Sequence, residues 1–429
     1  MAQEKQYELV LLGATGYTGL IVAEWITKQL PQDLKWAVAG RNAKKLQGVV
    51  DELAQIDPNR KLPDIESCEQ EKDQLVKLAE KTKLIITTIG PYAQYGEPVL
   101  AACAETGTHY LDCTGEVPWI YDMVAKYHDT AKKNGAIIIP ECGLDSVPAD
   151  IMAFALTNYI RKTLNAPTAN VVMSLYEGKS GISGGTTHSI LGLFENFSPA
   201  HLGESMKPFS LSPVRPTAPS SPPKGSFFYR LFGLLNLPEI GGIQTTWLMA
   251  SVDTCITHRS WGLYETSAKE RSQPQVAYGP RFRFDEYMRA KSLLFGLIVK
   301  FGLAFGGLLM LLPPSRWLLA PIIRRTMPQG QGPSREAMKK DVMIYRAVGI
   351  TDTEKKEKVY GRLEIALGGY GITGLTLSAA ADVILRGRLE DTEAGKIGGG
   401  ILTPATLGEA FVAKLKEYGL KLEVGSESP

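Results

Sequence analysis

The chain is poor in the features that would mark a metal centre, an exported fold or a nucleic-acid binder. Its five cysteines, Cys68, Cys103, Cys113, Cys142 and Cys255, are odd in number, follow no Cys-x-x-Cys spacing and do not cluster with the five histidines. That pattern excludes a zinc ribbon, leaves no metal site to expect and reads as reduced thiols. Formal net charge is only +2 over 429 residues, so there is no electrostatic case for a nucleic-acid partner. No apolar signal core precedes the first strand-like run, and Glu4 and Glu8 count against a transit peptide; a cytoplasmic protein is expected. No internal repeat is visible.

What is present begins near the N-terminus. The run Leu9-Val10-Leu11-Leu12 leads into Gly13-Ala14-Thr15-Gly16-Tyr17-Thr18-Gly19 and an apolar helix-like stretch. This reads as a buried strand, a tight turn and a helix, which together aim backbone N–H groups at a pyrophosphate. Gly13 would allow the turn, Gly16 would admit the phosphates, and Gly19 would bring helix and strand close. A second strand, Trp36 to Gly40, follows at helix-length distance.

A further absence then becomes informative. An NAD-preferring domain carries an acid at the end of that second strand to hold the ribose hydroxyls. Here the chain reads Gly40-Arg41-Asn42-Ala43-Lys44-Lys45. Arg41 suits a 2′-phosphate, with Lys44 or Lys45 adding charge, so NADP(H) is favoured over NAD(H). The alternative is that these cations are solvated charges opening a helix.

At 429 residues and 44% hydrophobic content, two domains are the natural expectation. Residues 1–150 alternate strand and helix patterns in the manner of a parallel sheet, with strands at Leu84 to Ile89, His109 to Asp112 and Ala136 to Pro140. Helices are expected over Asn42 to Ile56, from Glu97-Pro98, and from Ile120 to Lys133. Farther on, Val171 to Tyr176 and Gly242 to Asp253 suit strands, while the Pro- and Ser-rich Ser198 to Ser226 reads as a surface or disordered loop. A strand from Lys358, helices over Gly374 to Leu385 and Leu407 to Tyr418, and a strand from Leu420 to Val424 close the chain.

Residues 292–312 form a 21-residue apolar run with one charge, Lys300. Its length matches the roughly 30 Å hydrocarbon core of a bilayer. Lys300, Gly302, Gly306, Gly307 and the following Pro313-Pro314 oppose a plain span. Three readings stand: a hairpin on a membrane or lipid-droplet surface, a buried wall of an apolar pocket or homodimer interface, or a true span.

Hydride transfer asks the protein to hold nicotinamide against an acceptor and supply a proton. Candidates must lie at the carboxyl ends of strands. Gly90 and Pro91 would line the cofactor there, and Tyr92 or Tyr95 could donate a proton; packing is the alternative for each tyrosine. Asp112 would orient the nicotinamide ribose or serve as acid/base, or else cap a turn. Asp145 reads as the cap of the helix opening at Val147-Pro148. His188, after Gly184-Gly185-Thr186-Thr187, is the substrate-side histidine, with a structural role as its alternative.

These motifs, with Tyr95-Gly96-Glu97-Pro98, Tyr110-Leu111-Asp112, Thr114-Gly115-Glu116, Gly143-Leu144-Asp145-Ser146-Val147-Pro148 and Gly398-Gly399-Gly400-Ile401-Leu402-Thr403-Pro404, make the chain resemble the saccharopine dehydrogenase-like oxidoreductases over nearly its whole length. The resemblance implies a Rossmann-type doubly wound α/β sheet in 1–150, an inserted α+β substrate or dimerisation domain in 151–370, and a C-terminal return to the first domain in 371–429. The apolar segment 292–323 departs from what a multiply charged amino-acid substrate would need. The expected activity is NADP(H)-dependent reduction of a C=C (enoyl) or C=N bond of a small hydrophobic or acyl/polyketide-type substrate. The rivals are a saccharopine-type amino-acid reductase and a non-catalytic, lipid-droplet-associated nucleotide-binding protein.

Overall fold

The computed structural model describes residues 5–179, 184–328, 330–338 and 340–427, so Glu4 lies outside it. The first third supplies β1 (Tyr7–Leu12), β2 (Trp36–Gly40), β3 (Asp64–Ser67), β4 (Thr82–Thr87), β5 (His109–Asp112) and β6 (Ile137–Ile139). There follow β7 (Thr168–Lys179), β8 (Leu235–Leu237), β9 (Gly242–Thr245), β10 (Arg283–Arg289), β11 (Val342–Thr351), β12 (Lys358–Ile365), β13 (Gly400–Ile401) and β14 (Lys421–Gly425). Among the described residues these build two seven-stranded sheets.

The first sheet runs β13-β6-β5-β4-β1-β2-β3, all parallel. Its strand order reverses between β1 and β4, which opens a crevice at their carboxyl ends. Residues Tyr7 to Leu12 are buried throughout, because helices cover both faces; hence the continuous apolar run Leu9 to Leu12 rather than an alternation. β3 (Asp-Ile-Glu-Ser) is an edge strand with mostly exposed side chains, so no apolar period announced it.

Helix Tyr17–Gln29 ends against Arg60, which is 5% exposed and donates to the carbonyls of Thr27 (2.9 Å), Leu30 (2.6 Å) and Pro31 (2.8 Å). Two of the three guanidinium nitrogens are thereby satisfied by carbonyls at the helix end, while the buried Nε has no partner among the described residues. The C-terminal helix Gly369–Arg386 packs on this one. Gly374 makes the approach possible, since a Cβ there would stand 2.3 Å from Trp25 Cδ1.

The second sheet runs β14-β12-β11-β7-β10-β9-β8 and is antiparallel except where β7 meets β10. Helix Val147–Leu164 lies on β7, β11 and β12, and Ala250–Glu270 is buried on nearly every face. Polar knots lock these helices to the C-terminal segment. Asp150 accepts from Ser260 Oγ (2.5 Å) and Ala405 N (2.7 Å), and buried Arg259 donates to the carbonyls of Leu211 and Ile401.

Three expectations need correction. The strand expected over Gly242 to Asp253 stops at Thr245, and Asp253 sits in the first turn of helix Ala250–Glu270; a helix buried all round has no amphipathic period to read. Ser198 to Ser226 is not a featureless loop. Ser198 caps helix Pro199–Ser205 by accepting from His201 N, and Leu211 is buried. The apolar run is a helix, Leu293–Leu311, followed by Pro313–Thr326, and of the first helix only Gly296 is buried. Within this chain it is therefore not the wall of a pocket.

Candidate active site

The glycine turn is built by steric need. Gly13 has φ +94° and donates to Ala39 O, while a Cβ on it would meet Ile89 Cγ1 at 2.8 Å and Thr88 Oγ1 at 2.9 Å. A Cβ on Gly19 would stand 2.1 Å from Gly13 O, so helix and turn touch there. Gly16 differs: the nearest atom to its Cβ position is Gly13 O at 3.4 Å. Gly16 is the N-cap of helix Tyr17–Gln29, with no side-chain cap and no acid in the first turn. The free N–H groups and open face fit a dinucleotide pyrophosphate.

The surrounding residues divide by environment. Thr15 is exposed at the tip, Thr18 is half-buried, and Ala14 turns its methyl into the core. Tyr17 faces elsewhere: its hydroxyl donates to Pro333 O at 2.6 Å and its ring meets Tyr370 edge-on at 5.0 Å. Arg41 is exposed beyond β2 with no partner among the described residues. Asn42 beside it caps helix Ala43–Ile56, which fixes the backbone while leaving the guanidinium free for a 2′-phosphate.

The ends of β4 and β5 are tied together. Gly90 is exposed to the crevice and Pro91 is buried. Tyr92 is 5% exposed; its hydroxyl donates to Thr87 O at 3.1 Å and lies 3.4 Å from Cys113 Sγ. Burial holds this phenol well above its ordinary value. Tyr95 is exposed on the outer side. Asp112 is fully buried and accepts from Tyr110 Oη (2.6 Å), Thr114 N (2.9 Å) and Glu141 N (2.9 Å). Burial pushes it up to about 7. With both oxygens engaged inside the protein, Asp112 has the geometry of a turn cap joining β5 to β6.

Glu116 and Ser189 were given no role from the sequence, yet they join the two halves of the site. Glu116 accepts from Tyr92 N (2.9 Å), Ala93 N (2.8 Å) and Ser189 Oγ (2.8 Å), so the inserted helix Gly184–Asn196 is fastened to the loop after β4. One residue earlier, His188 interacts with the Met327 backbone, Arg324 and Glu195. Its buried Nε2 has no partner among the described residues. Burial and then Arg324 hold it below the ordinary imidazole value.

Asp145 is the largest departure from the sequence reading. The N-cap of Val147–Leu164 is Ser146, with no side-chain cap, so Asp145 does not cap the helix. Pro148 in the first turn already removes one of the donors such a cap would bind. Half-buried Asp145 lies over Gly115, whose Cβ would be 3.1 Å from Asp145 Oδ2 and 3.6 Å from Met249 Cε. It accepts no hydrogen bond among the described residues, and burial alone lifts it to about 6.

Behind Asp145 stand buried Glu141, Asp253 and Glu286, all raised by burial first; Asp112 comes next for Glu141 and Glu286 next for Asp253, while for Glu286 burial alone raises. Asp253 Oδ1 and both Glu286 oxygens find no donor among the described residues. Two carboxylates offer only acceptors; with one protonated, the pair closes its own hydrogen bond. Asp253 and Glu286 were invisible in the sequence because 33 residues separate them on a buried helix and strand β10.

A doubly wound sheet with a phosphate-accepting glycine turn at its switch point defines a dinucleotide-dependent oxidoreductase. Residues 9–139 match the family model described as saccharopine dehydrogenase NADP binding domain. Over 433 residues, 98% of each chain, the protein is 30% identical to a Mycobacterium tuberculosis (strain ATCC 25618 / H37Rv) protein provisionally named a trans-acting enoyl reductase. It is 28% identical, over 97% of each chain, to a trans-acting enoyl reductase of Mycobacterium ulcerans (strain Agy99). The chain belongs to the saccharopine dehydrogenase-like oxidoreductase family, and its cofactor is NADP(H). Apo saccharopine dehydrogenase (L-Glu forming) from Saccharomyces cerevisiae shares the fold, with a TM-score of 0.51 over 97% of this chain and 99% of that one at 12% identity.

Proposed function

We propose that the protein uses NADPH to reduce a C=C bond of a hydrophobic small molecule or acyl chain, or a C=N bond in a molecule of that kind, with Asp145 as proton donor. The observation that carries the reading is the Asp145 carboxyl, half-buried at the carboxyl end of β6, without a hydrogen bond among the described residues and raised to about 6 by burial beside Gly115. NADPH supplies the hydride when bound. The chain's share is to seat the cofactor on the glycine turn and Arg41, and to hold a protonatable acid near the nicotinamide end. Glu141, Asp253 and Glu286 keep protons available behind it and keep the surroundings acidic. Carboxyls held protonated carry no charge and offer no cation to pair with a substrate bearing several carboxylates, which speaks against the saccharopine-type alternative.

The test follows NADPH oxidation with enoyl thioesters and cyclic imines as acceptors. Asp145→Asn is expected to lower kcat roughly 100- to 10,000-fold, the usual range for a general acid, with NADPH affinity unchanged. Above about pH 6 the wild-type rate falls as the protonated fraction declines, and the variant loses that limb. A variant with wild-type kcat removes Asp145 from the reaction.

A further inference from the structure

Helix Leu293–Leu311 is long and apolar enough to cross a bilayer, yet of its residues only Gly296 is buried. Leu294, Ile298, Phe301, Phe305, Leu308 and Leu312 are all exposed, and their spacing of four and three residues places them along one stripe of the helix. The chain turns at Pro313 and returns through Pro313–Thr326, which exposes Trp317 (81%) and Ile322 (54%). Alongside lies a third apolar element, with Phe227 78% and Leu231 71% exposed. The elements are contiguous: Lys300 Nζ donates to Gly233 O, and Gly296 is closed in by Leu234 and Ala290. Patches of this extent mark an interaction surface.

Along these segments the sequence carries charge of one sign, with Glu195 and Glu24 brought in by the fold as partners of Arg324 and Arg335. No acidic residue occurs between Glu286 and Glu336, while Arg289, Lys291, Lys300, Arg316, Arg324, Arg325 and Arg335 do. The stretch between Glu204 and Glu239, which contains Phe227 and Leu231, also has no acid. A seam for a second copy of the helix would carry charges beside the stripe; here Phe295, Leu297, Ala304 and Leu309 flank it. We propose that this face is a docking surface for an anionic lipid bilayer, with the apolar stripe entering one leaflet and the cations meeting headgroup phosphates.

The anchoring favours lying in a leaflet over crossing it. The amino end is held by Thr245 Oγ1 donating to Gly296 O (2.7 Å), the middle by Lys300, and the returning helix by Arg324 bonded to Glu195 (2.6 Å). All three fasten the hairpin to the same globular body. Beyond it, Met327 accepts from Thr187 and Pro333 accepts from Tyr17, so docking would bring the bilayer close to the glycine turn. On the hydrophobic-substrate reading above, this offers a route from the lipid phase.

The test pellets full-length protein with phosphatidylcholine vesicles and with vesicles that also contain phosphatidylglycerol, at low and high salt. The expected result is preferential binding to the anionic vesicles, weakened by salt, with a blue shift of tryptophan emission that is lost in Trp317→Phe. The double variant Phe301→Ser/Phe305→Ser should reduce pelleting roughly tenfold or more. Lys291→Glu/Arg325→Glu should abolish the preference for phosphatidylglycerol. All four side chains project from the body, so circular dichroism and NADPH binding should match wild type in both variants. The proposal is overturned if wild type pellets with neither vesicle, or if the Phe double variant pellets as wild type does. It also fails if that variant only converts a dimer to a monomer in light scattering, which would give the face to a second copy.

Discussion

Two sets of glycines in this chain carry opposite meanings. At the dinucleotide turn, Gly13 and Gly19 leave no room for a Cβ, which would meet neighbouring atoms at 2.8 Å and 2.1 Å. On the apolar hairpin, Gly302, Gly306 and Gly307 have nothing within 4 Å of the Cβ position. The first set is demanded by close packing around a ligand-binding turn; the second relieves no contact in the chain. A glycine count treats them alike, and only the surroundings separate them.

The contrast can be broken at its strongest point. Gly19→Ala forces a methyl onto the Gly13 carbonyl and must displace helix Tyr17–Gln29 from the turn; NADPH binding by fluorescence titration should be lost and thermal stability should fall by several degrees. Retained binding would mean that the close approach is not needed for the cofactor. Next in size, Arg41→Ala should weaken NADPH roughly 10- to 100-fold, the value of a charge-assisted contact, and leave NADH unchanged. Equal loss of both would refute the 2′-phosphate role.

A smaller effect is expected behind Asp145. Burial raises Glu286 above its ordinary value of about 4.3, so the folded state holds a proton that the unfolded chain has released. The sign is then fixed: this group's contribution is neutral below that ordinary value and increasingly unfavourable as pH rises toward the folded value. Glu286→Gln removes the penalty, and its denaturant midpoint relative to wild type should improve from about pH 5 to about pH 8. A pH-independent difference would show that Glu286 is not held protonated. The smallest change is Gly306→Ala, which should stabilise the hairpin helix by about 0.5–1 kcal/mol, read as a slightly raised unfolding midpoint. Destabilisation would reveal a neighbour at that glycine.

Much of the first sheet was legible in the chain. β2 and β5 begin and end where the apolar runs do, and helix Ala43–Ile56 follows its Asn42 cap, because these signals are local. The inserted region was less so. Helix Ala250–Glu270 hides its period through burial on every face, and β10 and β11 acquire their places only by pairing with β7. The site divides in the same way. Gly13, Gly16, Gly19, Gly90 and Arg41 could be placed from the turn and the strand ends. Tyr92 and Asp112 were found as residues, but whether their polar atoms face a ligand or the protein is a matter of packing. Asp145 looked like a cap because caps are read from sequence offsets, whereas its actual environment comes from Gly115 and from Met249 of the inserted region.

By itself, the sequence determined the dinucleotide turn, the lack of an acid beyond β2 and an apolar run too long to be an ordinary loop, since each depends on neighbours within a few residues. Tertiary structure decided that Asp145, Glu141, Asp253 and Glu286 share one region, that Glu116 ties the β4 loop to the inserted helix through Ser189, and that the apolar run faces outward. Proton affinity and exposure depend on which distant segments fold over a side chain, and no local pattern encodes that.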